Sequence, residues 1–505
     1  MRVSPVATPL TSSRYGTRLS VARRVGASIL FTMLLIGGIP STADAHGKLK
    51  RSEPAAGAHL GAVPRELRLE FNEVPELAFT TVQLLDASGQ PVDLGPVSYA
   101  ADSTRVIVVV VRGRVTGGAY MVVWQMAGAD GHPVRGRYRF VVAPGASGTD
   151  AVAMPAPASA PGALAAHDSA TMAAEHQDPV AMPTGNGFGA ESPVYVLIRW
   201  ALFAGLLLVI GAVAFRQLVL RFLRSKRPQD APMLDTASRQ AARIGHRAAQ
   251  AVLAVVVLRL LAQSVAMHGA RGALDLGLIG PMLVRTTWGY GWLLQLFAIV
   301  VAGVGFHRAW ASETSTVDTR RGWAFATAGV LVLAFTPGLS GHAVAAPQAF
   351  PLGVVADGLH ILGAGGWLGS LTMVLFAGMP VVLALPDDER GARLADLFNA
   401  FSPTALMCAG MLATTGVFAA WLHVGSVPGL WRTDYGRILL LKVGVLSVVA
   451  ATGAYNWLRV KPALQQVHGA SRIRRSATVE LVVAVVVLLI TAVLVATPTA
   501  MDAVQ

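Results

Sequence analysis

The chain has 505 residues, of which 53% are hydrophobic and only 14% are charged. That composition excludes a soluble globular protein of this length and calls for several membrane spans. The formal net charge of +13 does not argue for nucleic acid, because the basic residues gather beside apolar segments, where they set membrane orientation. The one cysteine, Cys408, lies in an apolar segment. An intrachain disulfide and a Cys-rich metal site are both excluded, so a metal would have to rely on His, Met, Asp, Glu and the main chain.

Residues 1–45 have the layout of a secretory signal peptide. Arg14, Arg18, Arg23 and Arg24 precede an apolar run from Ala27 to Ile39, and Ala43-Asp44-Ala45 puts small residues three and one before a cut. Cleavage there makes His46 the first mature residue, whose free α-amine and imidazole together offer two nitrogens to one metal ion. Asp130-Gly131-His132-Pro133 adds a carboxylate and a second imidazole further along. Nitrogen and oxygen donors in this mix suit Cu(II), which favours tetragonal N,O coordination. Imidazole also accepts Zn(II).

Residues 46–143 read as a small all-β domain, with short Val-, Leu- and aromatic-rich runs separated by Gly, Pro and Asp. The expected strands are 66–72, 79–86, 105–112, 119–126 and 136–143. Period-two alternation puts Tyr120, Val122, Trp124 and Met126 on one face, and the spacing suggests a Greek-key sandwich or barrel. The Asp-Gly-His-Pro tetrapeptide falls in the turn between the last two strands. Residues 144–191 read as a flexible Ala/Pro/Gly linker in which Met154, His167, Met172, His176 and Met182 are scattered. They are either transient copper ligands or simply part of a tether.

Residues 192–498 read as an all-α polytopic membrane domain of about eight helices, near 194–215, 248–267, 287–306, 322–339, 353–383, 398–423, 437–458 and 477–497. Residues 499–505 form an extracytoplasmic tail. With the β domain exported, the connections 216–247, 307–321, 384–397 and 459–476 are cytoplasmic, and they hold most of this region's Lys and Arg. This orientation puts His268, His342, His360 and His423 near the outer ends of four spans, where they form a candidate copper pathway with Asp357, Met267 and Met373. Asp357 and His360, three residues apart, share a helix face. Each histidine also has a plainer reading, as a cap or an interfacial side chain, and the methionines as packing. His246, His307 and His468 lie at the inner side. Lys442 and Glu480, in the last two spans, are further candidates as an ion pair or proton relay. Lys442 also suits snorkelling to the interface.

These residues carry a family resemblance. The segment from His46 through Leu49-Lys50-Arg51-Ser52-Glu53-Pro54, the strand Leu69-Glu70-Phe71-Asn72-Glu73, and Trp124 through Ala129-Asp130-Gly131-His132-Pro133-Val134 to Gly136 and Phe140 resemble the copper-resistance family CopC. Ser340-Gly341-His342-Ala343, Asp357-Gly358-Leu359-His360 with Gly366-Trp367-Leu368-Gly369, and Thr433-Asp434-Tyr435-Gly436-Arg437 with Lys442 resemble CopD. The CopC resemblance implies Cu(II) bound by His46, Asp130 and His132, with Glu73 as an accessory ligand. The Met-rich loop that gives some members a Cu(I) site is missing here. The CopD resemblance implies copper movement across the inner membrane, often import, with Cu(I) as a candidate form in the membrane domain.

The expectation is therefore a non-enzymatic, multi-pass protein of a bacterial inner membrane. Its partners are copper ions, the lipid bilayer and a candidate periplasmic copper chaperone, and it does not bind nucleic acid. The chain has no Walker A sequence and no Asp-Lys-Thr-Gly motif, which argues against an ATP-driven pump. The rival readings are a haem-binding or redox electron-transfer membrane protein, a copper-dependent oxidase, and a non-transporting copper sensor or chaperone.

Overall fold

The computed structural model describes residues 48–129, 131, 133–146, 192–312, 315–340, 350–455, 469–497 and 499. The signal segment, His46, Asp130, His132, the linker with its His and Met residues, His342, His468 and most of the tail lie outside the described residues.

The first part is a two-sheet sandwich. One sheet has the order β1 (Leu49–Glu53), β3 (Glu66–Phe71), β7 (Ser103–Val110) and β6 (Ser98–Ala100). The other has the order β2 (His59–Leu60), β9 (Pro133–Val142), β8 (Gly118–Ala127), β4 (Thr81–Leu85) and β5 (Pro91–Val92). All five expected strands are present. The four not anticipated from sequence, β1, β2, β5 and β6, are short, with two to five residues each, too few for an alternating pattern to register. Leu67, Leu69, Phe71, Ile107 and Val109 of one sheet face Leu84, Tyr120, Val122, Trp124, Met126 and Phe140 of the other. Phe71 meets Trp124 edge to face at 5.2 Å. Trp124 lies opposite Gly136 in the β8–β9 pair, and a methyl group at Gly136 would collide with its indole.

The second part is a bundle of eight long helices: α1 (Pro193–Ala214), α2 (Ala231–Gly272), α3 (Thr287–Ala311), α4 (Thr316–Phe335), α5 (Phe350–Ala364), α6 (Asp387–Val424), α7 (Asp434–Tyr455) and α8 (Gly469–Leu494). They correspond to the eight apolar segments of the sequence. Among the described residues, seven helices are long and apolar enough to cross a membrane. The one outside that set is α4, whose first turns carry Asp318, Arg320 and Arg321.

Helix boundaries depart from the hydropathy reading in one direction. α1 continues through a π-helical stretch, Phe215–Leu220, to Lys226, and α2 begins at Ala231, well ahead of its apolar run. The connection 216–247 is thus mostly helix, because its Arg, Ala and Gln residues favour helix where lipid does not require it. α5 continues to Leu383 through two π-helical turns, Gly365–Gly369 and Val374–Gly378. The first of these presses on α1 so closely that a methyl group at Gly211 or Gly369 would strike the other helix's backbone. Small residues that let backbones approach are how helices pack in the absence of a hydrophobic drive.

Sandwich and bundle share a packed junction. Phe79 and Ala127 of the sandwich are buried with the apolar core of the bundle, so the end of the sandwich that carries the β8–β9 turn faces the helices.

Candidate functional site

Strands β8 and β9 pair from Gly118↔Val142 to Ala127↔Pro133. Residues 128–132 therefore form the tip, and Asp130 and His132 belong to it by sequence. Gly131 takes φ +74, a left-handed conformation that glycine adopts without strain, and its N–H bonds the Gly128 carbonyl at 3.0 Å.

The described residues next to the ligands read from sequence meet at this tip. The Lys48 backbone N–H donates to Asn72 Oδ1 at 2.6 Å, and the Asn72 N–H returns a bond to the Lys48 carbonyl at 3.1 Å. Glu73, the next residue, lays its carboxylate against Gly128, where a methyl group would collide with it. The Glu76 N–H bonds the Ala127 carbonyl at 2.8 Å. The chain just after His46, the candidate ligand Glu73 and the strand leading to Asp130 thus share one corner of the sandwich.

That corner rests on the bundle. Gln263 of α2 donates through Nε2 to the Gly131 carbonyl at 2.7 Å and accepts at Oε1 from the Tyr195 hydroxyl at 2.7 Å. Trp288 of α3, 1% exposed, packs on Gly131, where an added Cβ would lie 2.9 Å from its Cδ1. Arg259 stacks on Trp288 with its guanidinium carbon 5.2 Å from the ring centroid. It also donates to Gln295 Oε1 at 3.1 Å and to Ser340 Oγ at 2.9 Å. Gln295 passes a bond on to Thr336 Oγ1 at 3.1 Å. Below the turn, Gln263 and, behind the Trp288 ring, Arg259 thus put polar groups inside the bundle, and those of Arg259 reach Ser340, the first residue of Ser340-Gly341-His342-Ala343.

The same turn, residues 336–340, leads to the second cluster. A Cβ at Gly338 would lie 3.6 Å from Asp357 Oδ2. Three residues on, His360 Nδ1 meets Thr415 Oγ1 of α6 at 2.9 Å. The Thr415 hydroxyl also lies 2.8 Å from the Met411 carbonyl. The contact at Nδ1 orients the imidazole and leaves Nε2 as the other ring nitrogen that can bind a metal or a proton. Lys442 of α7 lies within electrostatic reach of both Asp357 and His360. Asp357 and His360, paired in the sequence by their spacing, thus share an electrostatic environment with Lys442, singled out separately.

The other candidates are dispersed. His268 Nδ1 faces Ser264 Oγ of its own helix at 3.4 Å. Met267, beside it, is buried, and its carbonyl accepts from Gln125 Nε2 at 3.0 Å. Met373 is buried in the core of the bundle. His423 packs edge to face on Tyr435 at 6.2 Å. Among the described residues, no three His, Cys, Asp or Glu side chains gather where they could hold a metal ion. Glu480 is buried opposite Gly453. Gly453 is eleven residues from Lys442, or about 16 Å along a helix, so Glu480 and Lys442 do not sit at one level. The Thr433-Asp434-Tyr435-Gly436-Arg437 run starts α7, with Thr433 Oγ1 accepting from the Gly436 N–H at 3.1 Å. At the opposite end of the bundle His246 and His307 come together, ring centroids 5.1 Å apart.

Sequence reasoning missed Gln263, Trp288, Arg259 and Thr415. The signal for two of them was present: Arg259 and Gln263 are polar residues one turn apart inside an apolar run, and such residues in a span usually face a polar interior. Trp288 and Thr415 carry no such signal, being ordinary residues for a membrane helix.

Comparison with known proteins places these features. The model of the CopC domain matches residues 49–143. The model of the copper resistance protein D-like N-terminal domain matches residues 190–349, and that of copper resistance protein D matches residues 395–494. The copper transport protein CutJ of Bacillus subtilis (strain 168) is 23% identical over 432 residues, covering 85% of this chain and 71% of that protein. Copper resistance protein D of Pseudomonas syringae pv. tomato is 28% identical over 311 residues, covering 59% of this chain and 94% of that protein. The crystal structure of CopC from Methylosinus trichosporium OB3b matches 20% of this chain and 98% of its own, with 29% identity and a TM-score of 0.19.

Proposed function

Because this chain joins a CopC domain and the two copper resistance protein D domains in one polypeptide, we propose that it captures Cu(II) outside the cytoplasm and carries copper inward across the cytoplasmic membrane. The observation that carries this reading is the contact of the β8–β9 tip with the bundle, where Gln263 holds Gly131, Arg259 reaches Ser340 from behind Trp288, and Asp357 lies close to Gly338, two residues before Ser340.

In this account His46 supplies its amine and imidazole, Asp130 a carboxylate and His132 a second imidazole, with Glu73 at the same corner as accessory ligand. That donor set suits Cu(II). Within the bundle the cargo meets Asp357 and His360 Nε2, with Met373 a softer candidate further along α5 toward the inner face. The Met373 thioether favours Cu(I), whereas imidazole accepts either oxidation state; passage as Cu(I) takes one electron per ion from a reductant outside this chain. Lys442 beside Asp357 and His360 balances charge in the empty pathway and repels a second cation in the loaded one. The sandwich and the tail are extracytoplasmic, and the basic connections at the opposite end are cytoplasmic. The chain works as a conduit, without catalysis of its own.

The test is copper flux into liposomes containing the purified full chain, with a reductant present. His360→Ala and Asp357→Asn should each lower flux about tenfold or more, the usual scale for loss of a group that binds the passing ion. Unchanged flux in both would remove the pathway from its proposed place.

A further inference from the structure

Among the described residues, five hydrogen bonds join the sandwich to the bundle, at three separate points. Gln263 holds the Gly131 carbonyl. The backbone N–H and the hydroxyl of Thr287 both donate to Glu76 Oε1, at 3.0 and 2.8 Å. Gln125 Nε2 and Arg135 Nη2 donate to the carbonyls of Met267 and Ala266, each at 3.0 Å. Those two carbonyls lie just before Gly269, whose φ of 72 and ψ of 171 interrupt α2. A break in the helix leaves carbonyls that need donors from elsewhere, and here the sandwich provides them. Gln125 is itself fixed, because Arg135 Nε donates to its Oε1 at 2.8 Å. Trp288 fills the space beneath Gly131, and Arg259 braces the indole from behind. Three non-collinear attachments around a packed aromatic define one orientation, whereas a domain swinging on a linker needs a junction that parts easily.

We propose that the sandwich stays docked throughout copper transfer, with Gln263 and Trp288 as positioning residues that hold the metal-bearing turn over the mouth of the bundle. Copper then passes from turn to bundle across a fixed junction. This rests on the transport reading above. The junction is a property of Gly131, Gln263, Glu76 and Thr287, none of which is a proposed copper ligand.

The experiment uses the full chain with Glu76→Cys and Thr287→Cys, expressed in cells and treated with a short bis-methanethiosulfonate. The native Cys408 is buried, so the reagent joins the introduced pair. The expected result is high cross-link yield with copper uptake within about twofold of the untreated variant. Failure to cross-link would overturn the docking. Uptake that is lost on linking and regained on cleaving the linker would show that the domains must part, and would also overturn it. If the unlinked variant and the parent chain both show no uptake above cells lacking the protein, the transport reading has failed, and with it transfer across the junction; the cross-link yield reads the docking separately. A second measurement isolates positioning from folding. Gln263→Met keeps the length of the side chain but removes the donor to Gly131 and the acceptor for Tyr195, and should lower maximal uptake several-fold while leaving the Cu(II) EPR spectrum of the turn unchanged. Full uptake in Gln263→Met would remove Gln263 from the role.

Discussion

At the residue scale the account turns on donors that only specific positions provide. An extra residue placed before His46 in the mature chain would turn its primary amine into an amide, a poor copper donor at neutral pH. Cu(II) affinity of the purified protein should then fall by more than the roughly 10- to 100-fold typical of an outer-shell defect, with a changed EPR spectrum. Unchanged affinity would remove His46 from the site. Glu73 lies against Gly128, so Gly128→Ala should displace its carboxylate and weaken Cu(II) binding more mildly. Gly136 is a structural counterpart: Gly136→Ala forces Trp124 out of its slot, and overpacking of this kind costs about 1–3 kcal/mol. The expected readout is faster proteolysis of the sandwich in the full chain, with the bundle unaffected. The candidate ligands His46, Asp130 and His132 were read from sequence pattern and family resemblance and lie outside the described residues; of the ligand set the structure describes Glu73, at the expected corner. The role of Gln263 was not legible in the sequence, since its partner is a backbone carbonyl 132 positions away, and a main-chain acceptor leaves no mark in sequence.

At the element scale, two helices made for close approach place the inner cluster. The π-helical Gly365–Gly369 turn of α5 follows His360 by one turn and presses on α1, and such turns often mark functional sites. α6 contributes Thr415, whose hydroxyl meets His360 Nδ1 and orients the ring. Thr415→Val leaves a buried ring nitrogen without its partner, a loss of about 1–3 kcal/mol, while Thr415→Ser keeps the bond. Copper flux in liposomes should therefore drop in the valine variant and remain near the parent level in the serine variant. Equal flux in both would separate Thr415 from the pathway. The eight long helices were legible from hydropathy, seven of them apolar enough to cross a membrane, as were the longer strands from alternation. What hydropathy could not give was where helices end, because α1 and α2 run on as helix beyond the apolar stretch. Nor could it tell which face of α5 meets α6, since the faces of a uniformly apolar helix look alike.

At the scale of the whole molecule, the sandwich and the bundle form one device whose parts are each incomplete. In the proposed account the sandwich supplies the Cu(II) site and the bundle the route onward. Gln263 and Trp288 of the bundle are covered by the sandwich's own turn at Gly131. Fusion in one chain fixes their stoichiometry and raises the effective concentration of the turn at the mouth. The charge pattern orients the assembly, with Arg393 paired to Asp230 at 2.9 Å among the basic connections of the far end. The most direct test is total copper in cells with and without this protein at limiting external copper. The account predicts less copper in cells that lack the protein, restored by the parent chain but not by His360→Ala. More copper in those cells would mean export or sequestration, and would contradict it.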